Sequence, residues 1–368
     1  MSADILLCSP HHGTGGIVRW TGNVMTYYQT STQKTVSVEF MPMDRSSFVT
    51  EKTSLPMRIF GGFNDYRKFL ASIREKISRQ KYSAVHFTSS GSLGFIRDIL
   101  LIRLLESRNI PSIVHFRFGR IPDLLEKRNW EYLLLHKVMK NVSQAIAIDC
   151  RTYNALKAHG YTNVSLVPNA MSPSMETEVS RYENEVRIPR RILFAGHLFK
   201  EKGIFELAHA CSQIDDIELV IAGKGNVGVE DELRKAFSAG KNSKITFLGE
   251  ISHNELIEQM CKCALFAFPS YTEGFPNAIL EAMACGCTII ATPVGAIPEM
   301  LEFDSDKACG VSIPEKETEH LKDALIRLLD LPDLCREYGR RAKEKAHFYS
   351  IGNVWTQLEQ VWYQTINK

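Results

Sequence analysis

Residues 271–287 read YTEGFPNAILEAMACGC, and this stretch follows the apolar run ALFAF at 264–268. The apolar run predicts a buried strand, and the loop after it leads into a helix. Asn277 is a residue type that favours a helix N-cap, and Gly286 is typical of the position just after a helix. The stretch therefore predicts a strand, a loop and a helix in succession, which is one βα unit of a parallel sheet.

The same alternation of short apolar runs and longer helical patterns extends along the whole chain. Runs rich in Val, Ile and Phe predict strands near 4–8, 35–41, 83–88, 111–115, 144–148, 164–167, 191–195, 217–222, 245–248, 264–268, 288–291 and 310–313. The predicted fold class is α/β, with two doubly wound Rossmann-like domains built on parallel sheets.

The domain boundaries follow from length and composition. A chain of 368 residues is longer than one hydrophobic core usually supports. Residues 1–172 form the predicted first domain, 173–189 a polar linker without apolar periodicity, and 190–351 the second domain. A last helix at 352–366 carries two tryptophans, a leucine and a valine at helical spacing, so it needs a surface to pack on.

Charge is distributed unevenly between the two halves, although the formal net charge is only +2. Residues 1–170 hold 22 Lys and Arg against 12 Asp and Glu, and much of this excess lies in the helical segments 67–81 and 126–140. Basic helical faces suit an anionic membrane surface or a phosphorylated acceptor, and a solvated helix surface is the alternative.

The sequence shows no apolar run long enough to span a bilayer and no signal-peptide pattern at its start. The expected location is the cytoplasm, with peripheral contact at the inner face of the plasma membrane through 67–81 and 126–140. No nucleic-acid partner is expected.

Nine cysteines are spread over both halves and mostly lie within apolar runs. This pattern predicts buried, reduced thiols. Two Cys-x-Cys pairs, Cys261/Cys263 and Cys285/Cys287, raise a zinc site as an alternative, but structural zinc sites normally use wider spacing. No metal and no cofactor are therefore expected.

One carboxylate interrupts the apolar helix that begins near Asn277. Glu281 has almost no polar neighbours in sequence, and burial of an unpaired carboxylate is costly. A vicinal diol such as that of a ribose offers two donors to one carboxylate. Glu273, eight residues earlier, could bind hydroxyls of a second group, with phosphates on the helix amides between them. Pairing of Glu281 with a Lys or Arg is the alternative.

AGKGNVG at 222–228 has the Gly-x-Gly-x-x-Gly spacing of a dinucleotide-binding loop, with Glu250 further along the chain. A dehydrogenase places this loop after the first strand of its domain, whereas here it follows the second. The pattern therefore favours a glycine turn that approaches a base or a phosphate, and an NAD or FAD site is the alternative.

Two further loops carry candidate residues. FAGHLFKEKG at 194–203 brings His197, Lys200 and Lys202 close to a helix start, where cations can neutralise a leaving diphosphate. In the first half, HHGTGGIVRW at 11–20 is a glycine loop after the first predicted strand. Two histidines, His86 and His115, each end a strand, but a lone histidine is more often structural than catalytic.

These motifs together resemble the large retaining glycosyltransferase family 4, whose members have the GT-B architecture of two Rossmann-like domains facing a central cleft. The resemblance covers nearly the whole chain and is strongest from Ile192 to Glu299. The matching segments are GTGG (13–16), VPNAMS (167–172), FAGHLFKEKG (194–203), AGKGNVG (222–228), EGFPNAILE with its Glu-x7-Glu spacing (273–281) and ATPVGAIPE (291–299).

The resemblance implies a role for each matching residue. Glu281 would bind the nucleotide ribose, Glu273 the hydroxyls of the donor sugar, and Lys202 the diphosphate. His115 takes the place of a first-domain histidine that contacts the donor sugar. The remaining donor-binding residues implied are Gly15, Gly16, His197, Gly225, Gly274, Phe275, Pro276 and Asn277. The helix at 352–366 would cross back onto the first domain.

One residue departs from the family pattern in a way that affects activity. Family members commonly have Arg beside the glycine of the phosphate segment, where this chain has His197, which reaches less far and is charged only part of the time. Either Lys200 or Arg117 supplies the missing charge, or the enzyme is slow, pH-sensitive or inactive.

The sequence therefore predicts a metal-independent, retaining hexosyltransferase. It would transfer a sugar from a UDP- or GDP-sugar to a glycan or lipid-linked glycan acceptor, in bacterial surface-polysaccharide or lipopolysaccharide biosynthesis. The second domain would hold the donor and the basic first domain the acceptor. A catalytically weak nucleotide-sugar-binding subunit of a glycosyltransferase complex and a nicotinamide oxidoreductase are the alternatives.

Overall fold

The computed structural model describes residues 3–13, 15–32, 34–44, 55–183, 185–237 and 242–368, with the backbone alone for 55–63. The strands are β1 (Ala3–Ser9), β2 (Val36–Pro42), β3 (Ala84–Ser89), β4 (Ser112–Phe116), β5 (Gln144–Ala147), β6 (Val164–Leu166), β7 (Ile188–Ala195), β8 (Glu218–Ala222), β9 (Lys244–Gly249), β10 (Cys263–Phe268), β11 (Thr288–Ala291) and β12 (Gly310–Ser312).

The α-helices alternate with these strands. They are α1 (Gly16–Thr30), α2 (Leu55–Arg79), α3 (Gly94–Glu106), α4 (Ile121–Lys127), α5 (Trp130–Asn141), α6 (Cys150–Ala158), α7 (Met175–Ser180), α8 (Ile204–Ser212), α9 (Val229–Ala236), α10 (His253–Lys262), α11 (Asn277–Ala284), α12 (Ile297–Leu301), α13 (Thr318–Leu329), α14 (Pro332–Ala346) and α15 (Ile351–Ile366).

The first compact unit comprises Met1–Ala170 and Ile351–Lys368. Its six strands are all parallel, in the order β2-β1-β3-β4-β5-β6. Helices α2 to α6 cover one face of this sheet, and α1 and α15 cover the other. The C-terminal helix α15 therefore belongs to the first unit, where Trp362 is fully buried.

The second unit comprises Met171–Ser350 and has the strand order β12-β11-β10-β7-β8-β9, again all parallel. This is the doubly wound order in which the first strand of the unit lies at the centre of the sheet. The central strands β7 and β10 end in fully buried apolar residues because helices cover both faces.

The predicted fold class is confirmed, since both units are doubly wound parallel sheets with helices on their faces. All twelve predicted strands are present, and only their ends differ by a few residues. The segment predicted as a linker differs more. It contains the short helix α7, in which four polar or charged residues out of six obscure the apolar pair Met175 and Val179 that is buried in the second unit.

Each sheet has one switch point, where the chain direction across the sheet reverses and ligands bind at the carboxyl ends of the strands. In the first unit it lies between β1 and β3, and in the second between β7 and β10. The loops that follow these four strands are therefore the places to look for chemistry.

Among the described residues, no helix is both long and apolar enough to cross a membrane. The cysteines are free thiols, and the Sγ atoms of Cys263 and Cys287 lie 4.0 Å apart. Within the same residues, no group of three or more His, Cys, Asp and Glu side chains is arranged to hold a metal ion.

Candidate active site

The switch point of the second unit brings two charged side chains together. Lys202 lies on a short 3₁₀ turn after β7, and Glu273 lies in the loop after β10. The Nζ atom of Lys202 is 2.5 Å from Oε1 of Glu273, which also accepts a hydrogen bond from Oγ of Ser270 at 2.8 Å. Two residues that the sequence separates by 71 positions thus form one ion pair.

The close packing of the two loops depends on a glycine. Gly203 follows the 3₁₀ turn with φ of 67°, and a Cβ atom there would lie 2.0 Å from the carbonyl oxygen of Pro269. Tyr271 adds a second tie, since its backbone N–H donates to Glu201 O at 2.8 Å and its hydroxyl donates to Glu206 at 2.6 Å. The Lys202–Glu273 pair is therefore held by the backbone on both sides.

The helix start after Glu273 offers backbone N–H groups to an anion. Helix α11 begins at Asn277, and the N-cap position is occupied by Pro276 rather than by Asn277 as the sequence predicts. Pro276 has no side-chain group that could cap this end, and the first turn of α11 carries no acidic residue. The first amides of α11 therefore remain suited to a phosphate or another anion. The ring of Phe275 is buried edge-on against Tyr349, so it does not line this surface.

Glu281 is buried in the middle of α11, with 8% of its surface exposed. One partner of Glu281 is His253, whose Nε2 lies 3.3 Å from Oε1 of Glu281. The other ring nitrogen of His253, Nδ1, is 3.0 Å from Oε2 of Glu178. The imidazole of His253 therefore lies between two carboxylates, and among the described residues Oε2 of Glu178 has no hydrogen-bond partner.

The sequence does not identify His253 as a site residue. It is the first residue of α10, directly after Ser252, which forms a capping box with Glu255. That box fixes where α10 begins, and α10 packs against both α7 and α11. The capping box could have located the start of α10 from the sequence. It could not show that His253 faces Glu178 and Glu281, because these carboxylates come from elements distant in sequence.

The glycine turn after β8 packs against the loop that carries His197. A Cβ atom on Gly223 would lie 1.9 Å from the carbonyl oxygen of Gly196, and Gly225 is closely packed on the side chains of Leu198 and Val229. Glu250, the acidic residue of the dinucleotide alternative, forms an exposed ion pair with Lys224 at 2.6 Å. The glycines are thus used for contact between two backbone loops.

His197 lies on the surface next to these loops. Its ring stacks on Phe199, with the ring centroids 5.4 Å apart and nearly parallel planes. Lys200 is exposed on the same 3₁₀ turn as Lys202. Both side chains are therefore exposed beside the loops that follow β7 and β8.

In the first unit, His115 is fully buried and does not reach a surface. Nε1 of Trp362 donates to Nδ1 of His86 at 3.0 Å, and Nε2 of His86 lies 3.2 Å from Nδ1 of His115. Because an indole N–H only donates, His86 must carry its proton on Nε2 and donate it to His115. His115 then carries its own proton on Nε2, so it makes no hydrogen bond to Nη1 of Arg117, which is also a donor and lies 3.3 Å away.

Burial determines the charge state of this network. It lowers the pKa of His86 to about 3, and it lowers the pKa of His115 well below the usual value with a further contribution from Arg117. Burial also lowers the pKa of Arg117 to about 9, and its guanidinium lies over the ring of Trp20 at 4.6 Å. Among the described residues no carboxylate pairs with Arg117. The two histidines are therefore neutral, and Arg117 is the charged end of the network.

A cavity of about 480 Å³ lies at the switch point of the first unit. Gly15 and Gly16, at the start of α1, line it, whereas Thr14 of the same motif lies outside the described residues. Asp44 accepts two backbone hydrogen bonds from residues 11 and 12 and pairs with Nδ1 of His12 at 2.7 Å. The cavity is also lined by the aromatic rings of Tyr66 and Phe69 and by Arg97. Carboxylates and aromatic rings together are suited to a sugar.

Comparison with known proteins matches most of the second unit to a family model. Residues 177–345 match the family model described as glycosyl transferases group 1. The chain is 26% identical over 251 residues to the phosphatidylinositol N-acetylglucosaminyltransferase gpi3 subunit of Schizosaccharomyces pombe, a match that covers 65% of this chain and 52% of that protein. The chain thus spans about half the length of the curated relatives it matches first.

Solved structures resemble the chain over nearly its whole length. The sucrose-phosphate synthase of Thermosynechococcus elongatus has a TM-score of 0.75 at 16% identity, with 98% of each chain covered. Anabaena HepE in complex with UDP has a TM-score of 0.70 at 14% identity, with 98% of this chain and all of that chain covered. At such identities the likeness shows the fold, and with the family match it supports a group 1 glycosyltransferase.

The neutral histidines predict a loss of stability in mild acid. Unfolded histidine binds a proton below about pH 6.5, whereas His86 binds one only near pH 3, so the unfolded state takes up more protons as the pH falls between these values. From pH 7 to pH 5 this should lower the free energy of unfolding by about 2 kcal/mol for His86 alone. Urea unfolding at pH 7 and at pH 5 measures this fall in the free energy of unfolding. His86→Gln should make the fall smaller by the same amount. An unchanged fall would contradict the conclusion that His86 is buried and neutral.

Proposed function

We propose that this chain is a retaining group 1 glycosyltransferase that transfers a hexosyl group from a nucleotide diphosphate sugar, a UDP- or GDP-sugar, to a glycan or lipid-linked glycan acceptor. The observation that carries the proposal is the arrangement at the carboxyl edge of the second sheet. The buried Glu281, the start of α11 and the Lys202–Glu273 pair lie in succession along one loop and helix.

Each part of this arrangement fits one part of such a donor. Glu281 lies one turn into α11, where its carboxylate can accept hydrogen bonds from the two hydroxyls of a ribose. The amides at the start of α11, with Gly274 and Pro276 before them, lie where a diphosphate would gain from the helix dipole. Glu273 then binds hydroxyls of the sugar. The Anabaena HepE structure, which contains UDP, supports a donor of this class.

The reaction depends on stabilisation of the leaving group more than on a strong base. As the bond from the anomeric carbon to the diphosphate breaks, negative charge develops on the β-phosphate, and Lys202 with the amides of α11 stabilises it. The departing phosphate oxygen can accept the proton of the acceptor hydroxyl on the same face of the sugar, so configuration is retained. Lys202 would exchange its ion pair with Glu273 for the diphosphate, which frees Glu273 for the sugar.

The roles of three further residues change from those that the sequence suggests. His115 is too deeply buried to contact a sugar, so we assign it to the buried network that joins α15 to the first sheet through His86 and Trp362. Arg117 is the group of that network able to meet an anion. Phe275 contributes its backbone but not its ring.

The first unit is the proposed acceptor-binding part, through a cavity lined by Arg97 and by Gly15 and Gly16, the two glycines that the family resemblance assigns to the donor. His12 is held by Asp44 with its Nδ1 atom, so Nε2 is able to accept a hydrogen bond from an acceptor hydroxyl. The name of the Schizosaccharomyces pombe relative describes a transferase that acts on phosphatidylinositol, which supports an acceptor attached to a lipid. Surface-polysaccharide or lipopolysaccharide biosynthesis remains the proposed setting.

A nucleotide-sugar-binding subunit without turnover is the second candidate, because the exposed His197 stands where related enzymes commonly have Arg. Release of nucleoside diphosphate in the presence of an acceptor separates the two candidates. A nicotinamide enzyme is disfavoured, since Gly223 and Gly225 pack on the neighbouring loop of Gly196 and Leu198, and Glu250 pairs with Lys224.

The donor site is tested by thermal unfolding against UDP, GDP, dTDP, CDP, ADP and NAD. At a hundred times its dissociation constant, the correct diphosphate should add about 2.7 kcal/mol to the stability and raise the melting temperature by a few degrees. Glu281→Ala should abolish this shift. Protection by NAD alone, or by none of these ligands, would overturn the proposed function.

The contact between His253 and Glu281 predicts an effect that depends on the ribose hydroxyls. His253→Ala should weaken binding of the protecting diphosphate about tenfold, since it removes the imidazole that contacts Glu281, and His253→Gln should restore part of the loss. Calorimetry with the corresponding 2′,3′-dideoxy nucleotide should show little difference between wild type and variant. His320→Ala, which removes an exposed histidine beside Glu317, is the matched control. Equal weakening for both nucleotides would indicate general damage instead.

The two lysines of the 3₁₀ turn should differ in their effect on turnover. Lys202→Met should lower the rate of sugar transfer roughly 100- to 1,000-fold, the range seen when one group that stabilises a developing anion is removed. Lys200→Met, a neighbouring exposed lysine, should have a much smaller effect. Rates measured at saturating donor give the comparison, and a larger loss with Lys200→Met would assign the charge neutralisation to Lys200.

A further inference from the structure

Two neighbouring helices of the first unit expose large apolar side chains at regular spacing. On α3 these are Leu93, just before the helix, Ile96 and Leu100, and on α5 they are Trp130 and Leu133. Trp130 is 54% exposed and Leu133 is 63% exposed. Soluble proteins seldom leave several large apolar residues exposed together, so such a patch marks an interaction site.

The same helical faces continue with cations. On α3 the exposed series Leu93, Ile96 and Leu100 leads to Arg103 one turn later, and on α5 the series Trp130 and Leu133 leads to Lys137 and Lys140. The spacing of three, four and three residues keeps all members of each series on one face of its helix. Each helix therefore has an outward face that is apolar in its first half and basic in its second.

A buried ion pair fixes the two faces side by side. Glu131, at the start of α5, accepts hydrogen bonds from the backbone N–H of Ser92 at 2.7 Å and from its hydroxyl at 3.0 Å, and it pairs with Arg120. Ser92 lies just before α3, so the first turns of α3 and α5 are tied together. Both helices also bury their inner faces in the same core, which leaves both outer faces pointing away from it.

The result is one surface, which we call the α3/α5 surface: Leu93, Ile96, Leu100, Trp130 and Leu133 at one end, and Arg103, Lys137 and Lys140 at the other. The nearby exposed charges include Lys127, Arg128 and Arg108 against Glu106 and Glu126, so cations predominate. A tryptophan and leucines beside a row of lysines and arginines match the interface of an anionic bilayer, where the apolar groups enter the headgroup region and the cations meet lipid phosphates.

Its position also suits a lipid-borne substrate. The apolar end lies at the carboxyl edge of the first sheet, because Ser92 follows β3 directly. Ser90, Gly94 and Arg97, from the same segment, line the cavity of the first unit. A membrane that meets the apolar end would therefore lie close to this cavity.

In the other basic helix of the first unit, α2, side chains are described only from Asn64 onward. The cations of α2 at Arg67, Lys68 and Arg74 are exposed, while Arg79 and Lys76 pair with Glu75 and Glu39. Among its residues with described side chains, none is a large apolar residue with an exposed face. Helices α2 and α5 are both rich in Lys and Arg in the sequence, but only α5 has large apolar residues exposed among its described side chains.

We propose that the α3/α5 surface docks this chain on an anionic lipid bilayer, and that α2 is not required for docking. The proposal goes beyond the sugar-transfer activity and does not depend on the donor site of the second unit. It commits to one partner, a bilayer that carries acidic phospholipids, because the surface combines exposed apolar groups with a predominance of cations.

The test uses the full-length chain and two kinds of vesicle, one of phosphatidylcholine alone and one of phosphatidylcholine and phosphatidylglycerol in equal parts. Wild-type protein should cosediment with the anionic vesicles and much less with the neutral ones, and added salt should weaken the association. Lys137→Gln with Lys140→Gln should lower the partition coefficient about 30-fold, from the contribution expected of two cations near the surface. Arg67→Gln with Lys68→Gln on α2 is the matched control and should bind like wild type.

Tryptophan emission gives a readout specific to the site. Trp20, Trp355 and Trp362 are buried, so Trp130 is the tryptophan whose surroundings a membrane can change. Anionic vesicles should shift the emission of wild type to shorter wavelength, and Trp130→Phe should remove the shift while retaining most of the binding. Trp130→Ser with Leu133→Ser should reduce the binding itself, and both side chains are exposed enough for the variant to fold.

Several results would overturn the proposal. They are absence of binding to anionic vesicles, binding that the α2 variant loses and the α5 variants keep, and a concentration-dependent dimer that Trp130→Ser with Leu133→Ser dissociates, which would identify a second copy of the chain as the occupant. Glu281→Ala should bind vesicles like wild type. Failure of nucleotide binding and failure of membrane binding are therefore distinguished by separate variants.

Discussion

The ion pair between Lys202 and Glu273 joins the two loops from which the candidate site of the second unit is built. It is possible because β7 and β10 are parallel neighbours at the switch point, so the loops that follow them leave the sheet at the same edge. Gly203 allows the backbones to approach closely enough for the lysine to reach the carboxylate. Helix α11 starts shortly after Glu273 in the chain, and it places Glu281 in the interior of the unit. Sheet order thus places a cation, two carboxylates and a helix start within one short region.

The two units surround their buried polar groups in different ways. In the second unit, the imidazole of His253 lies between the carboxylates of Glu281 and Glu178. In the first unit, His86 and His115 stay neutral, since a buried indole donates to the first of them and burial opposes their protonation. The arrangement in the second unit lies where a ligand is proposed to bind. The neutral one joins the C-terminal helix to the sheet, so its role in the first unit is chiefly to hold α15 in place.

The α3/α5 surface carries part of the excess positive charge of the first unit. Net charge alone does not distinguish a solvated helix from a docking surface, because lysines and arginines are common on both. The exposed apolar residues of α3 and α5 make the distinction, and they do so only because Glu131 ties the two helix starts together. A transferase that acts on a lipid-borne acceptor would need such a surface near its acceptor cavity. The membrane and donor proposals therefore concern different units and are physically independent.

The sequence by itself determined the periodicities, and with them the α/β class, the twelve strands and the position of the loop that carries Glu273 and Glu281. These features are local, since a strand or a helix start is encoded within a few neighbouring residues. It also showed that Glu281 needs a partner. Only the tertiary structure decided that one partner is His253 and that His115 is enclosed, because both outcomes depend on side chains brought together from elements far apart in the chain. Burial and pairing are properties of the packed units, and no local pattern specifies them.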